Sequence, residues 1–172
     1  MKKKTIGIVI VFICVTGLAT GLALISQKDE TPYAFLQGNA GDYGATSPYE
    51  FLCQADIGDN KYAVFYINRN NNVSCAIIKK NIFTYKILKI SSELSPVSDC
   101  EKGNFFYSSY KNGKRREWID WGVIYDPGIK QVLVNKKKAN LLTVKTYDFR
   151  LSYFTGDETE KEIPPRHAYV FY

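Results

Sequence analysis

A single imidazole serves the whole chain: His167, which follows Pro164-Pro165-Arg166 and opens the last apolar run. Histidine can act as a base or bind a metal, but the cysteines at 53, 75 and 100 stand at no zinc-ligand spacing from it or from one another. A lone histidine at a strand start reads as a polar edge residue, and it supports no Ser/His/Asp relay. Thiol chemistry is no better supplied, because a reactive thiolate needs a neighbouring cation or base. Cys75, in Val73-Ser74-Cys75-Ala76-Ile77, shares a strand face with Val73 and Ile77 and reads as core. Cys53 and Cys100 lie in less regular surroundings and are the better-placed pair for a disulfide. The carboxylates offer one arrangement: Glu117 and Asp120 beside Trp118 and Trp121, an acid–base pair that an envelope hydrolase or transferase could use. Asp56–Asp59 and Gly156-Asp157-Glu158 lack the alternating oxygen ligands of a calcium loop and are explained by turn chemistry. No metal or cofactor is expected, and no catalytic residue is assigned.

Binding chemistry is easier to find. Lys114-Arg115-Arg116, with Lys111 just before, and Lys136-Lys137-Lys138 form two basic clusters, both at turns. Lysines there guard strand edges, but clusters sharing one end of a sandwich would face anionic lipid heads or wall polymers. Trp118 and Trp121 are three apart in a strand-like run, so they point to opposite sides. One is expected in the core and the other exposed as an interaction platform. The formal net charge of +6 falls to +3 without Lys2, Lys3 and Lys4. That excess is too small and too dispersed for nucleic acid.

Those three lysines stand before residues 5–26, 22 residues without a charge. At ~1.5 Å per residue, about 20 apolar residues cross a bilayer core, so this segment is long enough to span. The flanking charges set residues 1–4 on the cytoplasmic side and everything beyond the span outside. A cleaved secretory signal would use Ile6–Leu18 as its apolar region and Ala19, Gly21 or Ala23 for cleavage. The run continues through Leu22, Leu24 and Ile25, however, leaving no polar region before the cut. An uncleaved signal-anchor is therefore expected. Cys14 follows Phe12-Ile13 rather than a small residue, so it is not a lipoprotein cysteine.

Residues 27–47 are rich in Gly, Pro, Asn and Asp and read as a linker, and residues 48–172 as the extracytoplasmic domain. Pro48–Ala55 is expected to make one or two helical turns capped by Ser47. From there the pattern is β. Tyr62–Ile67 is a solid apolar run suited to a strand buried on both faces, with Asn68–Asn72 as a turn into a partner strand at Val73–Lys79. Ile82–Ser91 alternates imperfectly. Asn112-Gly113 between two β-like runs marks a hairpin with both turn residues at positive φ. Further strands are expected at Ile129–Val134, Ala139–Val144, Tyr147–Tyr153 and His167–Tyr172. Nine or ten short strands and 13 Tyr with 10 Phe predict an all-β fold, an antiparallel β-sandwich or open barrel, behind one transmembrane helix.

Lys61–Tyr66 followed by Ser74–Lys80, and Trp121–Ile124 followed by Ile129–Val134, resemble segments of small single-span envelope proteins of low-GC Gram-positive bacteria. The resemblance implies a bacterial surface and a β-sandwich, and it carries no activity with it. A sortase-like transpeptidase, also a β-barrel behind an anchor, does not fit. Cys75 and Cys100 precede His167, the reverse of that family's order, and the threonine-rich strand leading to its cysteine is missing. The expectation is a membrane-anchored, non-catalytic binding module whose partner is an envelope protein, a wall polymer or anionic lipid.

Within the span, Gly17 and Gly21 lie four apart on one helix face, a spacing that lets two helix backbones approach closely and form a homodimer. Gly17→Leu or Gly21→Leu should weaken self-association of the span in a bacterial membrane reporter, while Val9→Leu leaves it intact. Equal signals from all three would remove the idea.

Overall fold

A computed structural model of the chain describes residues 30–97, 102–157 and 169–172. Its architecture follows from one property of the run Lys61–Asn68 (β2): apart from Tyr62, every side chain in it is buried. Its partner Val73–Lys80 (β3) is buried on both faces through Ile78. These two strands are the interior of a sheet ordered β1-β2-β3-β4, with β1 at Pro48–Asp56 and β4 at Tyr85–Leu94. Alternation sends Ala63, Phe65 and Ile67 to one face with Val73, Cys75 and Ile77. Val64 and Tyr66 go to the other, with Ala76 and Ile78.

The first of these faces meets a second sheet, ordered β5-β6-β10-β9: Gly103–Asn112, Arg115–Ile124, Arg150–Asp157 and Asn140–Thr143. Ile119, Trp121 and Val123 of β6 and Leu151 of β10 fill the space between the sheets, and Trp121 meets Phe65 edge-on at 5.9 Å. This is the expected sandwich of antiparallel sheets. None of the sheets closes into a barrel.

Each outer face is also covered. Over the first sheet lies a short helix, α1 (Pro32–Gly38), then a 3-10 stretch, Ala40–Thr46. Thr31 Oγ1 accepts the Ala34 N–H at 3.1 Å, and Pro32 takes the first turn, where it has no N–H to lose. Leu36 is fully buried against Val64, Tyr66, Ala76 and Ile78. The described part of the stretch read as a linker is therefore packed structure. The helical turns expected over Pro48–Ala55 are instead strand β1, because those residues find a partner in β2, with two register shifts along the way. Tyr66 donates to the Thr46 carbonyl at 3.0 Å and fastens the covering segment.

Over the second sheet lies a three-stranded sheet ordered β11-β7-β8: Tyr169–Phe171, Val132–Val134 and Lys137–Lys138. Asn135 and Lys136, with φ of 52° and 68°, make the two-residue turn between β7 and β8. Phe105 stacks on Tyr169 at 4.1 Å. The Arg150 guanidinium donates to the carbonyls of Asp126, Pro127 and Ile129 and so shapes the turn leading to β7.

Two turns depart from expectation. The β5–β6 hairpin closes on Gly113-Lys114 rather than Asn112-Gly113, since Asn112 still pairs with Arg115. Only Gly113 has positive φ, at 64°, as a Gly-X turn requires. Ile82 and Phe83 belong to the β3–β4 turn, not to a strand, and stand 87% and 59% exposed. Among the described residues no helix is long and apolar enough to cross a membrane. Residues 5–26 with Gly17 and Gly21, and also Cys100 and His167, lie outside the described residues.

Gly122 shows how tightly the outer face of β6 is packed. A Cβ there would stand 2.4 Å from the Phe105 ring and 2.5 Å from the Asn104 carbonyl oxygen, which is backbone and cannot yield. Gly122→Ala should cost about 1–3 kcal/mol in urea unfolding, as overpacking does. Gly38→Ala, with nothing within 4 Å of the new methyl, should leave the midpoint nearly unchanged.

Candidate functional site

Lys61 and Glu117 open the inward-facing rows of β2 and β6, so both side chains enter between the sheets. Each residue is 5% exposed, and the Lys61 ammonium donates to Glu117 Oε2 in a buried ion pair that joins one sheet to the other. Asn112 Nδ2 donates to Glu117 Oε1 at 2.8 Å and Asn112 Oδ1 accepts from Lys79 Nζ at 2.9 Å. Asp59, in the β1–β2 turn, lies 3.6 Å from the same ammonium. Burial pushes the Glu117 carboxyl up, but hydrogen bonds from Lys61, Asn112 and Tyr110 outweigh it and hold the group below its ordinary value. Burial, then the Glu117 charge, pushes the Tyr110 phenol well up.

Asp120 is three residues further along β6 and faces the opposite layer. It is 2% exposed and accepts the Tyr169 hydroxyl at 2.9 and 2.8 Å through its two oxygens, tying β11 onto the second sheet. Glu117 and Asp120 therefore do not converge on a common space. The two tryptophans do point to opposite sides, but neither is a surface platform. Trp121 is in the core at 0% exposure, and Trp118, at 3%, lies under Phe154 and beside Tyr107. The exposed position expected for one of them fails because Tyr107 of β5 and Phe154 and Gly156 of β10 close around Trp118.

Cys75 is core, as its strand position implies, and burial holds its thiol well above the ordinary value. Cys53 is a free thiol on β1, raised to about 11 by burial, and so is poorly suited to thiolate chemistry. One strand separates it from Cys75, since both pair with Phe65 of β2. Two strand spacings of ~4.8 Å put that pair beyond disulfide reach.

The basic clusters lie on different sheets, and all six of their residues are exposed. Lys114, Arg115 and Arg116 occupy the β5–β6 hairpin, while Lys136, Lys137 and Lys138 occupy the β7–β8 hairpin of the outer sheet. The Lys79–Asn112 bond sets the β5–β6 hairpin at the same end of the sandwich as the β3–β4 turn. That end thus presents Lys80, Ile82, Phe83, Lys86, Lys114 and Arg115 together, beside an open cleft of ≈ 780 Å³ lined by Asn60, Tyr62, Lys79 and Lys80. Sequence reasoning singled out only the Lys114–Arg116 part of this surface. The missed signal was Ile82-Phe83 between Asn81 and Thr84, two apolar residues bracketed by turn formers. At the other end, Asn68, Asn70 and Asn72 donate to Glu93, and these bonds lower its carboxyl. Among the described residues no cluster of His, Cys, Asp and Glu could hold a metal ion. No family model, curated protein or solved structure matches this chain.

Glu117→Gln or Lys61→Met should each destabilise the protein by about 3–5 kcal/mol in denaturant titrations, because the remaining partner stays buried. The double variant Lys61→Met/Glu117→Leu should recover most of that loss. The lowered Glu117 carboxyl contributes stability that is fully present above the ordinary glutamate value and is lost as pH falls through its folded-state value. Glu117→Gln should accordingly flatten the acid side of the stability–pH curve, and an unchanged acid limb would remove this role.

Proposed function

We propose that this chain is a non-catalytic binding module of a Gram-positive envelope, held outside the cell membrane by an uncleaved span at residues 5–26 with its N-terminus in the cytoplasm. The observation that carries the reading is where the charges sit. The buried carboxylates Glu117 and Asp120 face opposite layers and hold layers together, whereas cations and apolar side chains gather, exposed, at one end of the sandwich. Fixed internal carboxylates suit a scaffold, and an exposed basic end suits recognition of an anionic partner. Twenty-two uncharged residues behind three lysines support the anchor, and the resemblance to single-span envelope proteins agrees with it. Anionic lipid, a wall polymer or an acidic envelope protein fits the basic end, and a nucleic acid does not fit the location.

Fused at its C-terminus to a phosphatase that is active only outside the cytoplasm, the full chain should give activity on whole cells. It should also stay with the membrane pellet in alkaline carbonate. Reporter activity found only after lysis would overturn the orientation, and a shortened chain released into the medium would overturn the anchor.

A further inference from the structure

We propose that the end of the sandwich carrying Ile82 and Phe83 rests on the outer leaflet of the membrane that anchors the chain. The two apolar side chains enter the headgroup region, and the surrounding lysines and arginines face anionic lipid. The inference rests on the proposed anchoring of residues 5–26. Ile82 and Phe83, 87% and 59% exposed, occupy the tip of the β3–β4 turn, which is held closed by the Asn81 N–H donating to the Thr84 carbonyl at 2.7 Å. A hydrogen-bonded turn therefore presents two bulky apolar residues to water, a cost that a partly apolar medium removes.

Charge complements that tip. Lys80 and Lys86 flank it, and the Lys79–Asn112 bond sets the β5–β6 hairpin, with Lys111, Lys114, Arg115 and Arg116, at the same end. Among the described residues these exposed cations outnumber the acids Glu30, Asp56, Asp59 and Asp157 that share the region, and Asp59 lies beside Lys61. An apolar tip inside a cationic ring is how a folded surface binds an anionic leaflet.

The position of the chain's entry selects the membrane over other polyanions. α1 begins on the outer face of the first sheet, and its Phe35 packs on Tyr85 at 5.7 Å, the residue paired with Lys80 beside the tip. The Glu30 charge reaches the same tyrosine and contributes to the upward shift of its phenol, after burial and Tyr62. Only four steps of chain connect Ser26 to Glu30, a reach of at most ~14 Å. β2, with 8 residues, spans ~27 Å, so the opposite end of the sandwich lies much further from the anchor.

The test uses the full-length chain in vesicles whose lipids carry bromine in their acyl chains, with Phe83→Trp as the probe. Both native tryptophans are buried, so the unsubstituted chain supplies the background. Val97→Trp, at a 79% exposed site beyond the far end of β4, is the control. In vesicles containing phosphatidylglycerol, the tryptophan at 83 should be quenched about twofold or more beyond the one at 97, and less so in phosphatidylcholine or high salt. Each cation neutralised, as in Lys80→Gln, Lys114→Gln and Arg115→Gln, should shift docking by about fivefold, so the triple variant loses the difference. Equal quenching at the two positions, or a tryptophan at 83 unquenched in a chain that floats with the vesicles, overturns docking while leaving the anchor standing. An unquenched probe whose emission shifts with soluble polyphosphate assigns the face to a wall polymer instead, and also overturns it. A chain that does not float with the vesicles fails as an anchored protein, and the docking proposal falls with it.

Discussion

A strand buried on both faces cannot be satisfied by two layers. β2 and β3 are apolar above and below, and β6 is buried on both faces from Glu117 to Ile124, which means that packing the two sheets together settles only half of their side chains. At roughly 25 cal/mol per Å² of apolar surface, leaving Val64, Tyr66, Ala76 and Ile78 in water would forfeit several kcal/mol. The covering elements answer that requirement. α1 closes one side with Leu36, and the small outer sheet closes the other with Val132, Val134 and Ala139. Four layers result.

A buried ion pair lies among the apolar residues of the inner layer. An ion pair removed from water is not by itself a strong source of stability, since desolvation offsets most of the attraction. Lys61 and Glu117 do something that apolar contacts do less well: they meet in one geometry only, with Asn112 and Tyr110 completing the glutamate's bonds. A slip of either strand by one residue would turn one charge to the wrong face of its sheet. The pair thus fixes how the sheets align, and through Lys79 and Asn112 it fixes which turns share an end.

Much of this was legible in the residues. The unbroken apolar run at Tyr62–Ile67 announced a strand buried on both faces, and the spacing of Val73, Cys75 and Ile77 announced a core row. Thr31-Pro32 was a complete helix start, but the glycines at 38, 41 and 44 made the segment read as a linker. Pro48–Ala55 failed for a different reason: its helix signal was local, whereas its strand identity depends on β2 lying alongside. Trp118 was misplaced because the rings that flank it, Tyr107 of β5 and Phe154 of β10, come from strands that only sheet pairing brings alongside, and no periodicity reports such neighbours. The same limit hid the basic end, since its two turns meet through contacts such as Lys79–Asn112 between strands distant in the chain.

The order of strands in the two sheets has a kinetic meaning. In the first sheet every neighbour in space is a neighbour in sequence, so it can zip up turn by turn from local contacts. In the second sheet β10 lies between β6 and β9, and β6 must wait for a strand that begins at Arg150, well beyond its own end at Ile124. Until that long loop closes, the run Glu117–Ile124 has one unpaired edge and Trp118 lacks the Phe154 ring of β10. The slow and aggregation-exposed moment in the life of this chain is therefore the arrival of β10 beside β6.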